Sequence, residues 1–197
     1  MTVLADLISD VYTITNRPDL VSETSLAVRT ATLKLHQTDY FPKDLREEGL
    51  VFDTSQRIQS LEYRTIFPRF RAIKYFRRTD SAGTPSGPDF SVLEADNMLD
   101  GYGTYKEDIL YLAGEYLRIR SSAEFKYAMI GIYQNPDVAV ASFSSWIASD
   151  HPFAIVYEAA MQIVSMIGLK EDAAMLKLAR DEQVALLRMS NIQMEGY

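Results

Sequence analysis

The stretch ILYLAGEYLRIRSSAEFKYAMIGIY, residues 109–133, decides whether the middle of this chain is helix or sheet. Its apolar, aromatic and β-branched residues fall in runs too short for helices, at Ile109–Leu112, Glu115–Arg120 and Glu124–Tyr133. Ala113-Gly114 and Ser121-Ser122-Ala123 supply turn-prone residues between the runs. Three strands joined so tightly imply an antiparallel meander. Upstream, Ile58–Tyr63 and Phe70–Phe76 alternate as strands do. Ser81–Pro88 carries two Gly and two Pro and reads as an exposed loop or hairpin tip. The preceding segment, residues 39–53, reads as a short mixed connection broken by Pro42 and Gly49, and Asn135-Pro136-Asp137 closes the β section.

Both ends of the chain read as helix. Val3, Leu4, Leu7, Ile8, Val11 and Tyr12 recur at helical spacing, and Asn16-Arg17-Pro18 ends that helix because the residue before proline avoids the α region. A second helix, capped by Asp19 or Ser22, runs to about Gln37 with Leu26, Thr30 and Leu33 on its packed face and Ala27 and Ala31 alongside. Pro152 opens an almost wholly apolar helix that Gly168 stops, the expected centre of the core. In the last helix, Met175, Leu178, Ala185, Met189 and Ile192 form a seam interrupted at Glu182, expected to pack on the chain's own core. The fold class expected is α+β: a helical bundle formed by the N- and C-terminal helices with an inserted antiparallel β-sheet region. The helical hairpin occupies 1–49, the insertion 50–137, and the C-terminal core helices with an extension 138–197, all in one structural domain.

Composition narrows the function. The 197 residues are 47% hydrophobic and 24% charged, enough apolar matter for a packed core. A net charge of −7 and a pI near 4.9 disfavour a general nucleic-acid binder. With no cysteine, disulfides, thiol catalysis and Cys-based metal sites are excluded. The opening MTVLADLISDVYTI holds Asp6 and Asp10 within its apolar segment and reads as no signal peptide. The apolar run Phe153–Leu169 is short for a span and contains Glu158 and Gln162, so no membrane association is expected.

No catalytic, cofactor or metal site is expected. His36 and His151 are isolated in sequence, without a second ligand at metal spacing. Ser144, Asp150 and His151 cannot make a relay, because adjacent Asp and His do not readily place the carboxylate on the outer ring nitrogen. Asp96–Glu107 mimics a calcium loop at positions 1, 5, 6 and 12, but Met98 stands where an oxygen ligand belongs, so an Asp-Gly turn is expected. The strongest charge feature is Arg57–Arg78. Seven basic residues (Arg57, Arg64, Arg69, Arg71, Lys74, Arg77 and Arg78) against Glu62 give +6, leaving −13 for the remainder. Such a run with Phe70, Tyr75 and Phe76 suits an acidic protein partner, a nucleic acid, or a charged edge strand guarded against aggregation.

Three parts of the chain together carry a resemblance. They are the helices ADLISDVYTITNRPDL (5–20) and SETSLAVRTATLKLHQTDYF (22–41), the β insertion, and the ending SDHPFAIVYEAAMQIVSMIGLKEDAAMLKLARDEQ (149–183). This pattern resembles the head-to-tail connector proteins of tailed bacteriophages, above all the adaptor or tail tubular A-like proteins of short-tailed phages. The break Ile167-Gly-Leu-Lys-Glu-Asp172 lacks the Trp and Gly-Pro often found there. The resemblance implies a non-enzymatic virion protein at the head–tail junction, made in the bacterial cytoplasm. It would form a dodecameric ring under the portal protein, extend a channel through which DNA passes without specific binding, and dock tail nozzle or tail fibre proteins.

Interface residues expected on that basis are Arg64, Arg69, Phe70, Arg71, Lys74, Tyr75, Arg77 and Arg78. Met189, Ile192, Met194 and Tyr197 join them in a C-terminal extension ordered by docking. Other virion roles (stopper, tail completion, minor capsid) and a small nucleic-acid-binding regulator are the alternative readings.

Overall fold

The computed structural model describes residues 3–99 and 104–194. In chain order the elements are α1 (Val3–Thr15), α2 (Val21–His36), β1 (Leu45–Glu62), α3 (Tyr63–Ile66), β2 (Phe70–Thr79), β3 (Pro85–Asp89), β4 (Ser91–Val92), β5 (Ile109–Ala113), β6 (Tyr116–Gln134), α4 (Trp146–Asp150), α5 (Pro152–Met166) and α6 (Lys170–Met194). They divide into two compact units, one of Met1–Asp44 with Asn135–Tyr197, the other of Leu45–Gln134.

In the helical unit, α5 is the central element. Ala154, Ile155, Val156, Ala159, Ala160, Ile163 and Val164 are buried on it, as the apolar circumference requires. Pro152 sits in its first turn, and Gly168 ends it at φ +84°, a left-handed conformation that glycine adopts without strain. The α2 face differs from expectation in part. Ala27 and Ala31 are buried as expected, but Leu26 and Thr30 are exposed, and Thr24, Val28 and Leu35 are buried in their place. The small side chains Ala27 and Ala31 let the α2 backbone approach α5 closely. Neither expected cap forms: Leu20 holds the cap position without a side-chain bond, and Asp19 pairs with Arg17 at 2.7 Å. On α6 the expected seam also faces the wrong way. Val184 and Leu187 are buried, while Met175, Leu178 and Met189 stand in solvent.

The β unit overturns the expected fold class. In place of a helical bundle carrying an inserted antiparallel sheet, the chain is α+β, with a nearly closed, barrel-like mixed sheet of six strands and six α-helices among the described residues. The reason lies in the opening stretch. Ser121-Ser122-Ala123 does not turn, so β6 runs unbroken for 19 residues. Asp108 accepts hydrogen bonds from the Ser122 amide at 3.0 Å and hydroxyl at 2.7 Å, which holds this segment extended. One edge of β6 pairs with β1 along its length, with Leu45 opposite Tyr133 and Glu62 opposite Tyr116. Its other edge is shared by β5, against 116–120, and β2, against 127–134.

The first half of β1 falls within the segment expected as a connection. Its backbone bonds are supplied by β6, so the weak side-chain pattern of Arg46-Glu47-Glu48-Gly49 does not prevent a strand. The β1–β6 ladder is irregular between Val51 and Ile58. Leu50 and Phe52 are buried before the irregularity and Gln59 after it, so the inward face changes from even to odd positions. A one-residue slip reverses the facing of every later side chain, and here both halves of the ribbon thereby cover one core. That core includes Phe76, Phe90, Leu110, Leu117, Ile119, Phe125, Ile130 and Ile132. β3 lies on β2 and β4 lies parallel on β5, which makes the sheet mixed. Only Phe90 separates β3 from β4 in the chain, so the two ends of the strand path are drawn together. The β2–β3 turn is built on Asp80, whose carboxylate accepts from the Ala82 and Thr84 amides at 2.8 and 2.9 Å. The Thr84 amide first, with the other turn amides, holds the Asp80 carboxyl below its ordinary pKa.

Candidate functional site

The basic strand divides by face. Tyr75 and Arg77 lie on its half-buried outer side, and Lys74 is exposed. Tyr75, Gly131 and Glu47 stand abreast on β2, β6 and β1. The Tyr75 ring lies across Gly131, where a Cβ would come within 2.4 Å of it, and its hydroxyl donates to Glu47. Arg77 stacks on the same ring at 4.4 Å and meets Asp89 at 3.4 Å. Burial, then the Glu47 bond, pushes the Tyr75 pKa up to about 12. Phe70 packs against Tyr63 at 4.6 Å, Arg64 lies exposed over the Tyr63 ring, and Arg69 and Arg71 are exposed and half-buried respectively.

Arg78, expected on a contact surface, is inside the β unit. Only 7% exposed, it donates to Ser121 at 2.9 Å and faces Asp108 at 3.8 Å. Gly87, at φ +104°, passes directly over the guanidinium, where a Cβ would meet an arginine nitrogen at 2.3 Å. The charge of Arg78 therefore neutralises an internal carboxylate.

The helical unit holds a constellation that sequence reading did not find. His36 Nδ1 is 2.8 Å from Asp44 Oδ1, and Nε2 is 2.8 Å from Ser145 Oγ. Trp146 Nε1 donates to the same Asp44 oxygen at 2.7 Å. In the neutral tautomer that carries its proton on Nδ1, the ring donates to the carboxylate and Nε2 accepts the serine proton. The order Ser–His–Asp is that of a hydrolase relay, here buried and built into a helix cap. Ser145 Oγ also accepts from the Ala148 amide at 3.2 Å as the cap of α4, and the residue is 8% exposed. What the arrangement does in this geometry is tie the end of α2, the turn at Pro42–Asp44 and the start of α4.

A second buried charge lies on α5. Glu158 accepts from Lys34 of α2 at 2.5 Å and from Gln162 at 3.2 Å, with Arg180 of α6 at 3.4 Å from its other oxygen. The single clue in the sequence was a lone carboxylate inside an apolar helix.

Asp96–Glu107 lies partly outside the described residues. Its described part has a bridge between Leu99 and Tyr105. Among the described residues no three His, Asp or Glu side chains converge to hold a metal, and no helix is long and apolar enough to cross a membrane. Of the expected C-terminal contact residues, Met189 is 60% exposed on α6. Ile192 and Met194 fall within the α6 backbone, and Tyr197 lies outside the described residues. Large exposed aliphatics gather elsewhere on the helical unit. Leu26 and Met166 border a cleft of about 190 Å³ between α2 and α5. Ile14, Leu169 and Met175 border another of about 350 Å³ beside Asp172. No family model matches the chain, and no curated protein matches its sequence.

Proposed function

We propose that the chain is a non-enzymatic virion protein, a head-to-tail adaptor that forms a dodecameric ring beneath a phage portal. It extends the DNA channel and offers the docking platform for nozzle or fibre proteins. One contrast within the helical unit carries this reading. The Ser145 hydroxyl, His36 imidazole and Asp44 carboxylate are buried on one another, whereas Val21, Leu26 and Met166 are 57–61% exposed. Exposed aliphatics in such number mark a surface that a partner covers. The form of the assembly rests on the sequence resemblance.

The test is co-purification with a tagged portal protein encoded beside this chain. Leu26→Asp combined with Met166→Asp is expected to abolish capture while leaving the melting temperature unchanged, since both side chains already stand in water. Capture equal to wild type would overturn this assignment. Arg64→Glu with Lys74→Glu, both exposed positions, is expected to reduce assembly without altering binding to duplex DNA.

A further inference from the structure

The last helix has two apolar faces, and its own core uses only one. Leu176, Val184 and Leu187 turn inward, Leu187 being fully buried. Roughly 170° around the helix, at about 100° per residue, runs a second stripe. Positions 175, 178, 182, 185, 189 and 192 alternate steps of three and four and hold Met, Leu, Glu, Ala, Met and Ile. That is a heptad seam. Met175 is 64%, Leu178 72% and Met189 60% exposed, with Leu186 at 48% beside them.

We propose that this seam pairs with the α6 seam of a second copy of the chain, antiparallel about a two-fold axis. This goes beyond the portal reading and does not depend on it. The direction follows from the seam's one charged member. A parallel, in-register pair would set Glu182 against Glu182 of its mate in the same layer, a like-charge contact removed from water. The antiparallel register sets Glu182 against Ala185 and Leu178 against Met189. Small Ala185 leaves room for the longer glutamate. The same register brings Asp181 beside Arg188 of the other copy twice over, and both side chains lie on the exposed flank of the seam. A contact of this kind is isologous and closes at two copies. It would shield the aliphatic stripe of the free protein.

The natural absence of cysteine allows a direct test. Full-length Leu178→Cys and Met189→Cys proteins are mixed and oxidised, with Ser22→Cys, exposed on α2, as the measure of random collision. Mixed 178–189 disulfide dimers are expected in large excess over every other pairing. A predominance of 178–178 dimers would mean a parallel pair, and dimers no more abundant than with Ser22→Cys would mean no pair; either result overturns the proposal. Sedimentation equilibrium gives an independent reading. Glu182→Leu, which buries a leucine in two layers, is expected to tighten self-association by about tenfold or more. Unchanged or weaker association would overturn the seam. The portal experiment can fail without touching these outcomes.

Discussion

Each unit of this protein buries a charge, and the two are held in different ways. Glu158 in the helical unit is fully buried but faces two cations, one of which, Lys34, has a side chain 53% exposed. Arg78 in the β unit faces, among the described residues, one carboxylate at 3.8 Å, with side chains 8% and 18% exposed, and donates to a serine hydroxyl. The helical site therefore opens to water through Lys34, while the β site is closed under Gly87. Losing one partner from a closed pair strands the other in a medium that solvates it poorly. Losing the anion from the open site frees Lys34 to rehydrate.

The contrast orders the expected effects. Arg78→Ala should cost about 3–4 kcal/mol of β-unit stability in denaturant melts, because Asp108 is left without its counter-charge. Glu158→Gln should cost about 1–2 kcal/mol, as the amide keeps its shape and Lys34 turns outward. A larger loss from Glu158→Gln than from Arg78→Ala would break the distinction between open and closed sites. Gly131→Ala sharpens it on the outer face. The new Cβ meets the Tyr75 ring at 2.4 Å, so the ring must lift from both Glu47 and Arg77, a change worth about 1–2 kcal/mol.

The smallest effect is one of pH. Tyr75 has its pKa raised by burial and by Glu47 from 10.0 to about 12. Its protonated form is the one the fold favours, so its contribution is whole below pH 10 and is lost as pH rises through about 12. The stability gap between wild type and Tyr75→Phe, about 1 kcal/mol at neutral pH, should close over that window. A gap that persists at pH 12 would show that the hydroxyl contributes nothing titratable.

Local signals were legible where one rule acted alone. Pro152 and Gly168 mark the ends of α5 because each fixes backbone geometry irrespective of its surroundings. The strand at 70–76 was legible in its own residues, whereas at 58–63 the strand was found but not its facing: Ile58 is exposed, Gln59 is buried and Tyr63 already opens α3. The rest depended on distant partners. Ser121-Ser122 looks like a turn until Asp108 supplies its hydrogen bonds. Arg46–Gly49 looks like a connection until β6 pairs with it. On α6 two apolar faces competed, and the better-spaced one was not the one that packs. The His36 cluster joins residues 8 and 109 positions apart, a separation at which no spacing rule operates. Arg78 shared the sequence signature of its exposed neighbours. Only the facing of β2 sends it inward.

The most direct measurement is mass photometry of the purified protein, alone and mixed with the portal protein. The expected result is a small free species, a dimer at the higher concentrations, that becomes a ring-sized complex with many copies only when the portal is present. A free species whose mass distribution is unchanged by the portal would contradict the adaptor function.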